Sequence, residues 1–180
     1  MFIFVILIAA ILVALLRGGK ITHLADLNFQ WRGLILVGFL IQIIIFNDFW
    51  QKNPTLQPFT SLAYIISLAL LMLALAKNHT IPGMLILTLG FFFNALAITL
   101  NGGFMPASLD AWTTAGFSPL APGELHNNSI GMSPGTLVPF LGDIFAIPKG
   151  FIFPNVFSIG DVIISIGAVI LIQKTMVKPR

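Results

Sequence analysis

The sequence predicts an all-α, polytopic integral membrane protein: a bundle of about five transmembrane helices, with a long Gly/Pro-rich extracytoplasmic loop between the fourth and fifth. Three observations predict it. Five long apolar runs are separated by short basic or Gly/Pro-rich breaks. Apolar residues make up 57% of the 180 and charged residues only 8%, and mean hydropathy is +0.99. A soluble domain of this length has too little interior to hide so much apolar surface, so the lipid bilayer is expected to be part of the solvent. No second domain is visible, and residues 1–180 read as one membrane domain.

The expected helices are residues 2–16, 33–50, 58–76, 83–100 and 156–173. A helix rises about 1.5 Å per residue and must cross about 30 Å of hydrocarbon. The first two apolar cores are short for that distance, and Arg17 and Arg32 are placed to lengthen them by snorkelling. The first run opens Met1-Phe2-Ile3-Phe4, without the positive n-region of a signal peptide, and ends Leu15-Leu16-Arg17-Gly18-Gly19-Lys20, without a small-residue cleavage site. It is therefore expected to be a retained helix. Ala10 and Ala14 give it a small-xxx-small face for docking a partner, whether a larger membrane protein or a second copy.

Basic residues set the expected orientation. Arg17, Lys20 and Arg32 lie between the first and second runs, Lys77 between the third and fourth, and Lys174, Lys178 and Arg180 after the fifth. The opposite side has only Lys52 and Lys149, with Asp48, Asp110, Glu124 and Asp143. Positive residues resist translocation, so a multi-pass protein of the cell inner membrane follows, N-terminus outside and C-terminus cytoplasmic. The same residues are too dispersed for nucleic-acid binding, despite a pI near 9.6. Zero cysteines exclude disulfides, thiolate catalysis and Cys-ligated metals.

The segment 101–155 is longer than an ordinary connection. It opens on the helix stop Asn101-Gly102-Gly103 and contains the turn pairs Pro122-Gly123 and Pro134-Gly135. Its apolar residues, among them Phe104, Trp112, Phe117 and Phe140, argue that it folds back as a cap rather than trailing in solvent. Leu137 to Ile147 is apolar enough to dip into the membrane but too short to span it.

Several blocks carry a family resemblance: Arg17-Gly18-Gly19-Lys20 with Leu24-Ala25-Asp26, Asn101-Gly102-Gly103-Phe104-Met105-Pro106, His126, Leu141-Gly142-Asp143, and Asn155 to Asp161. In these the chain resembles a bacterial membrane family catalogued as domain of unknown function 5317. The resemblance covers nearly the whole chain and implies a small inner-membrane protein; it implies no activity.

Candidate ligand- or ion-binding residues cluster on the outer side: Asn94, Asn101, Asp110, Glu124, His126, Asp143, Asn155 and Asp161. Asn94 and Asn101 are seven apart and share a helix face with Gly90, which suits either close helix packing or a polar pocket. Asp143 stands alone in Phe140-Leu141-Gly142-Asp143-Ile144-Phe145 and must find donors or take a proton. It reads either as a cation or proton site or an anchor for a cationic ligand, or as a helix cap or partner of Lys149. Ser158 and Asp161 have capping-box spacing. Glu124, His126 and Asp110 offer donors suited to a divalent ion, but at no diagnostic spacing, so no metal and no cofactor is assigned. Trp31, Trp50 and Trp112 suit an interfacial aromatic belt.

No catalytic residue is assigned. Gly131-Met132-Ser133-Pro134-Gly135 matches G-x-S-x-G formally, but Pro134 lacks the N–H that an oxyanion hole needs. Three functions remain. The leading one is binding or transport of a small molecule or ion in an outward-facing pocket under the cap. The others are a non-catalytic subunit or assembly factor of a larger membrane complex, and a membrane-embedded enzyme acting on a lipid-linked substrate at the outer leaflet.

Overall fold

The computed structural model describes residues 2–177; Met1, Lys178 and Arg180, all used in the sequence reading above, lie outside that range. From the N-terminus, α1 (Phe2–Leu16) is followed by the single turn α2 (Thr22–Ala25), α3 (Arg32–Ile45), a second single turn α4 (Asp48–Gln51), α5 (Thr60–Lys77) and α6 (Met84–Leu100). Then come β1 (Met105–Ala107), α7 (Leu109–Thr114), β2 (Leu125–His126), β3 (Ser129–Gly131), β4 (Asp143–Ile147) and β5 (Asn155–Ser158), which leads into α8 (Ile159–Met176).

The five strands form one mixed sheet in the order β2-β3-β1-β4-β5. The fold is therefore mixed helix and sheet, and the expected all-α bundle of about five transmembrane helices is overturned. Segment 101–155 is not a loop. Met105 to Ala107 pair in parallel with Ser129 to Gly131, Ala107 pairs with Asp143, and β4 runs antiparallel to β5. Leu137 to Ile147, apolar enough to suggest a dip into the membrane, forms a 3-10 turn and then β4.

Among the described residues two helices are long and apolar enough to cross a membrane: Gln57–Lys77, where a 3-10 turn runs into α5, and Ile159–Met176. The other apolar helices, α1, α3 and α6, have 15, 14 and 17 residues. The helix expected over 33–50 stops at Ile45 because extended Asn47 caps a new turn, its side chain accepting the Phe49 N–H at 2.8 Å. The helix expected from 156 starts at Ile159 because residues 155–158 are strand.

α1, α6 and α8 show little amphipathic stripe, and they pair through small residues. Gly90 of α6 faces Gly160 and Ile164 of α8 so closely that a Cβ on Gly90 would lie 2.6 Å from the Gly160 carbonyl oxygen. Ala10 and Ala14 bury against Ile172 and Met176 of α8, so the small face of α1 is occupied within the chain. There Gln173 bridges the pair, donating to the Ala10 carbonyl at 2.7 Å and accepting from Arg17 at 2.7 Å. At the other end of α1, Phe2 stacks on Phe157 of β5 with ring centroids 4.3 Å apart. The sheet thus caps one end of the helical layer, and Arg17, Lys20, Lys77 and Lys174 mark the other.

Candidate functional site

The sheet positions Asp143 from both sides. It pairs with Ala107 of β1 and with Ser158 of β5, and its carbonyl oxygen accepts the Ser108 N–H at 3.0 Å. The two-residue turn Asn127-Asn128 joins β2 to β3, with Asn127 at φ +54°, which asparagine tolerates in tight hairpins. β2 carries His126, with Glu124 just before the strand, and sets the His126 ring against Trp112 of α7. In α7, Ser108 caps the N-terminus and Trp112 is buried, its indole N–H donating to the Ser118 carbonyl at 2.8 Å.

Between these pieces lies a cavity of about 750 Å³ within the cap. It brings together four residues singled out from sequence: Glu124, His126, Asp143 and Asn155. Trp112, Phe117, Asn127 and Asn128 also line it. The Trp112 ring meets His126 edge-on, centroids 5.6 Å apart, and tilts against Phe117 at 5.1 Å. Glu124 uses one carboxylate oxygen to accept the Ala121 N–H at 2.8 Å, which closes the turn over the cavity.

Asp143 is half-buried, and its carboxyl is pushed up from 3.8 to about 7. Desolvation by the surrounding apolar residues is the main cause, and the negative charge of Asp161 adds to it. Lys149 forms no ion pair with Asp143; among the described residues the one ion pair is Lys52 with Asp48 at 2.6 Å. The Lys149 stem packs instead over Gly116, where φ is +82° and a Cβ would meet it at 2.7 Å.

The other candidates lie elsewhere. Asn94 of α6 donates to the Asp161 carboxylate at 2.8 Å and accepts from the Ser158 hydroxyl at 2.7 Å. Ser158 and Asp161 form a reciprocal capping box on α8, so these three residues fasten α6 to the start of α8. Asn101 clamps Leu137, donating to its carbonyl and accepting its N–H, both at 2.9 Å. Asp110 is exposed in the first turn of α7 and does not line the cavity.

Sequence reasoning missed Trp112, Phe117, Asn127 and Asn128 as cavity residues. Trp112, which from sequence suits an interfacial belt, is buried and part of the cavity wall. The local cue at the turn is Asn127, a residue type that tolerates the positive φ found there; it says nothing of Trp112 or Phe117.

Chemically, the cavity offers two carboxyl groups, an imidazole and three side-chain amides beside two aromatic rings, and among the described residues no Lys or Arg lines it. Among the described residues no group of three or more His, Cys, Asp or Glu could hold a metal ion. No curated protein and no solved structure matches the chain. Residues 26–173 match a family of unknown function, DUF5317, and with most of its length inside that match the chain belongs to this family.

Proposed function

We propose that the chain is a multi-pass protein of the inner membrane whose sheet cap lies outside the cytoplasm and binds a small molecule or ion in its cavity, for capture or transport. The observation that carries this reading is the convergence of Glu124, His126, Asp143 and Asn155 on one cavity of about 750 Å³, a size suited to a small ligand. The membrane part is supported by exposure. Only about a third of the residues in each spanning-length helix are buried, and Phe4, Ile8 and Leu12 of α1 with Leu36, Phe39 and Ile43 of α3 are exposed. In water such faces would be a large association-prone patch. Basic residues at the end opposite the cap agree with a cytoplasmic location for that end.

Native mass spectrometry of the full chain, extracted from its own membranes in mild detergent, tests the reading. A reproducible small added mass on the 19.6 kDa chain, lost in Asp143→Asn, is expected. A larger protein bound stoichiometrically, with no small added mass, overturns it. That outcome would favour a subunit of a larger complex, a reading supported by Phe140, Phe151 and Ile152, which are exposed on the cap.

A further inference from the structure

Deepening the binding reading just given, on which it rests, we infer that the ligand of the cap cavity is an organic ammonium, held by Asp143 and Glu124 and walled by Trp112 and Phe117. Glu124 and Asp143 contribute carboxyl groups to the lining, and among the described residues no Lys or Arg lines it. An anionic ligand would meet the Glu124 carboxylate, and no Lys or Arg among the described lining residues, in a partly desolvated space. A cation meets opposite charge, and aromatic rings attract it through their electron-rich faces.

The residues are already held for this task. Trp112 has its indole N–H satisfied by Ser118, so the ring is fixed with no donor left to recognise an anion. Phe117 leans against it and keeps 38% of its surface exposed. Among the described residues the Asp143 carboxylate accepts no hydrogen bond, yet neither oxygen is sealed from solvent without a partner. It can therefore meet an ammonium N–H or the methyl surface of a quaternary amine. Asn127, Asn128 and Asn155 line the same space, and an asparagine side chain carries a carbonyl oxygen able to accept an ammonium N–H. A bare metal ion fits less well, because no cluster of three metal-ligating side chains forms among the described residues. The surroundings agree in sign: the cap end carries Asp48, Asp110, Glu124, Asp143 and Asp161 against Lys52 and Lys149.

An ammonium reaches such a site either as a free amine or as a lipid headgroup. The test uses the full chain in nanodiscs of phosphatidylglycerol, which bears no amine. Ethanolamine, choline and spermidine are titrated by calorimetry, with acetate and glucose as anionic and neutral comparisons. Saturable binding of at least one cation is expected, weakened about tenfold or more in Asp143→Asn and about two- to fivefold in the less drastic Phe117→Leu. Competition by phosphatidylethanolamine built into the discs, against none by free ethanolamine, would assign the ammonium to a headgroup. Binding of acetate or glucose but no cation overturns the ammonium assignment while leaving a small-molecule cavity. No binding by any probe, with no added mass in native mass spectrometry, overturns both.

Discussion

Asp143 and Ser158 stand opposite one another across the antiparallel pair β4 and β5, so the carboxylate that lines the cavity shares a rung with the N-cap of α8. The cavity and the helical layer therefore meet at one backbone position. Perturbing either residue is expected to register in both parts.

Asp143 should give the protein a falling stability with pH. Its carboxyl, raised from 3.8 to about 7, keeps its proton in the folded state over a window where the unfolded chain has released it. The folded state then binds more protons, so stability falls as pH rises through that window and levels off above it. Thermal denaturation in detergent from about pH 4 to about pH 8 should show this decline in the native protein and a shallower one in Asp143→Asn. An unchanged slope in the variant would contradict the assignment.

The contact between α6 and α8 should not tolerate a methyl group. Gly90→Ala places a Cβ against the Gly160 carbonyl and the Ile164 nitrogen, both backbone atoms that cannot swing away. A loss of about 1–3 kcal/mol is expected from such overpacking. Gly33→Ala, in open space on α3, is the control and should be neutral or stabilising by about 0.5–1 kcal/mol.

Asn94 and the α8 cap should be coupled energetically. Asn94→Ala leaves Asp161 without one donor and Ser158 without its acceptor, at a cost of about 1–3 kcal/mol. Ser158→Ala removes the cap at about 1 kcal/mol. The double variant should lose less than the sum, measured by a cycle of denaturation midpoints. Strict additivity would mean the hydrogen bonds do not act as a unit.

Asn101→Ala should loosen one edge of the cap. The Leu137 backbone loses both clamping bonds, and Val138 beside it sits at φ +43°, which is costly for a β-branched residue. Faster hydrogen exchange over residues 133–138 is expected, with α6 unchanged. Val138→Gly in the same background should restore protection.

The proposed orientation is open to labelling, since the chain has no cysteine of its own. Ala121→Cys on the cap and Lys77→Cys at the opposite end both lie at exposed positions. A membrane-impermeant maleimide applied to intact cells should label the first and spare the second. The reverse pattern would place the cavity in the cytoplasm.

The apolar runs were legible because helices of this kind need only length and hydropathy. A helix stands at Phe2–Leu16 and another at Met84–Leu100, where the sequence suggested 2–16 and 83–100. The sheet was not legible, and the fold class failed with it. Its strands are two to five residues long, too short for a period of two to emerge. Its interior strand β1 contains Pro106, a residue that argues against a central strand. Pro106 is tolerated because the pairing of β1 with β4 is confined to Ala107 and Asp143. For the site, Asp143 and His126 drew attention as isolated polar groups, but nothing local links them to Trp112. Their meeting depends on parallel pairings between distant segments, which no short window contains.

β5 ends at Ser158 and α8 begins at Ile159, with no residue between to act as a joint. The capping box of Ser158 and Asp161 fastens that junction, so a reorientation of β5 is passed to the start of α8. An 18-residue helix is about 27 Å long, so a tilt of about five degrees imposed at the cap moves its far end by about 2 Å. That end holds Gln173, gripping α1 through Ala10 and Arg17. A tilt of the cap would thus be felt as strain on the α1–α8 seam at the opposite end of the helical layer.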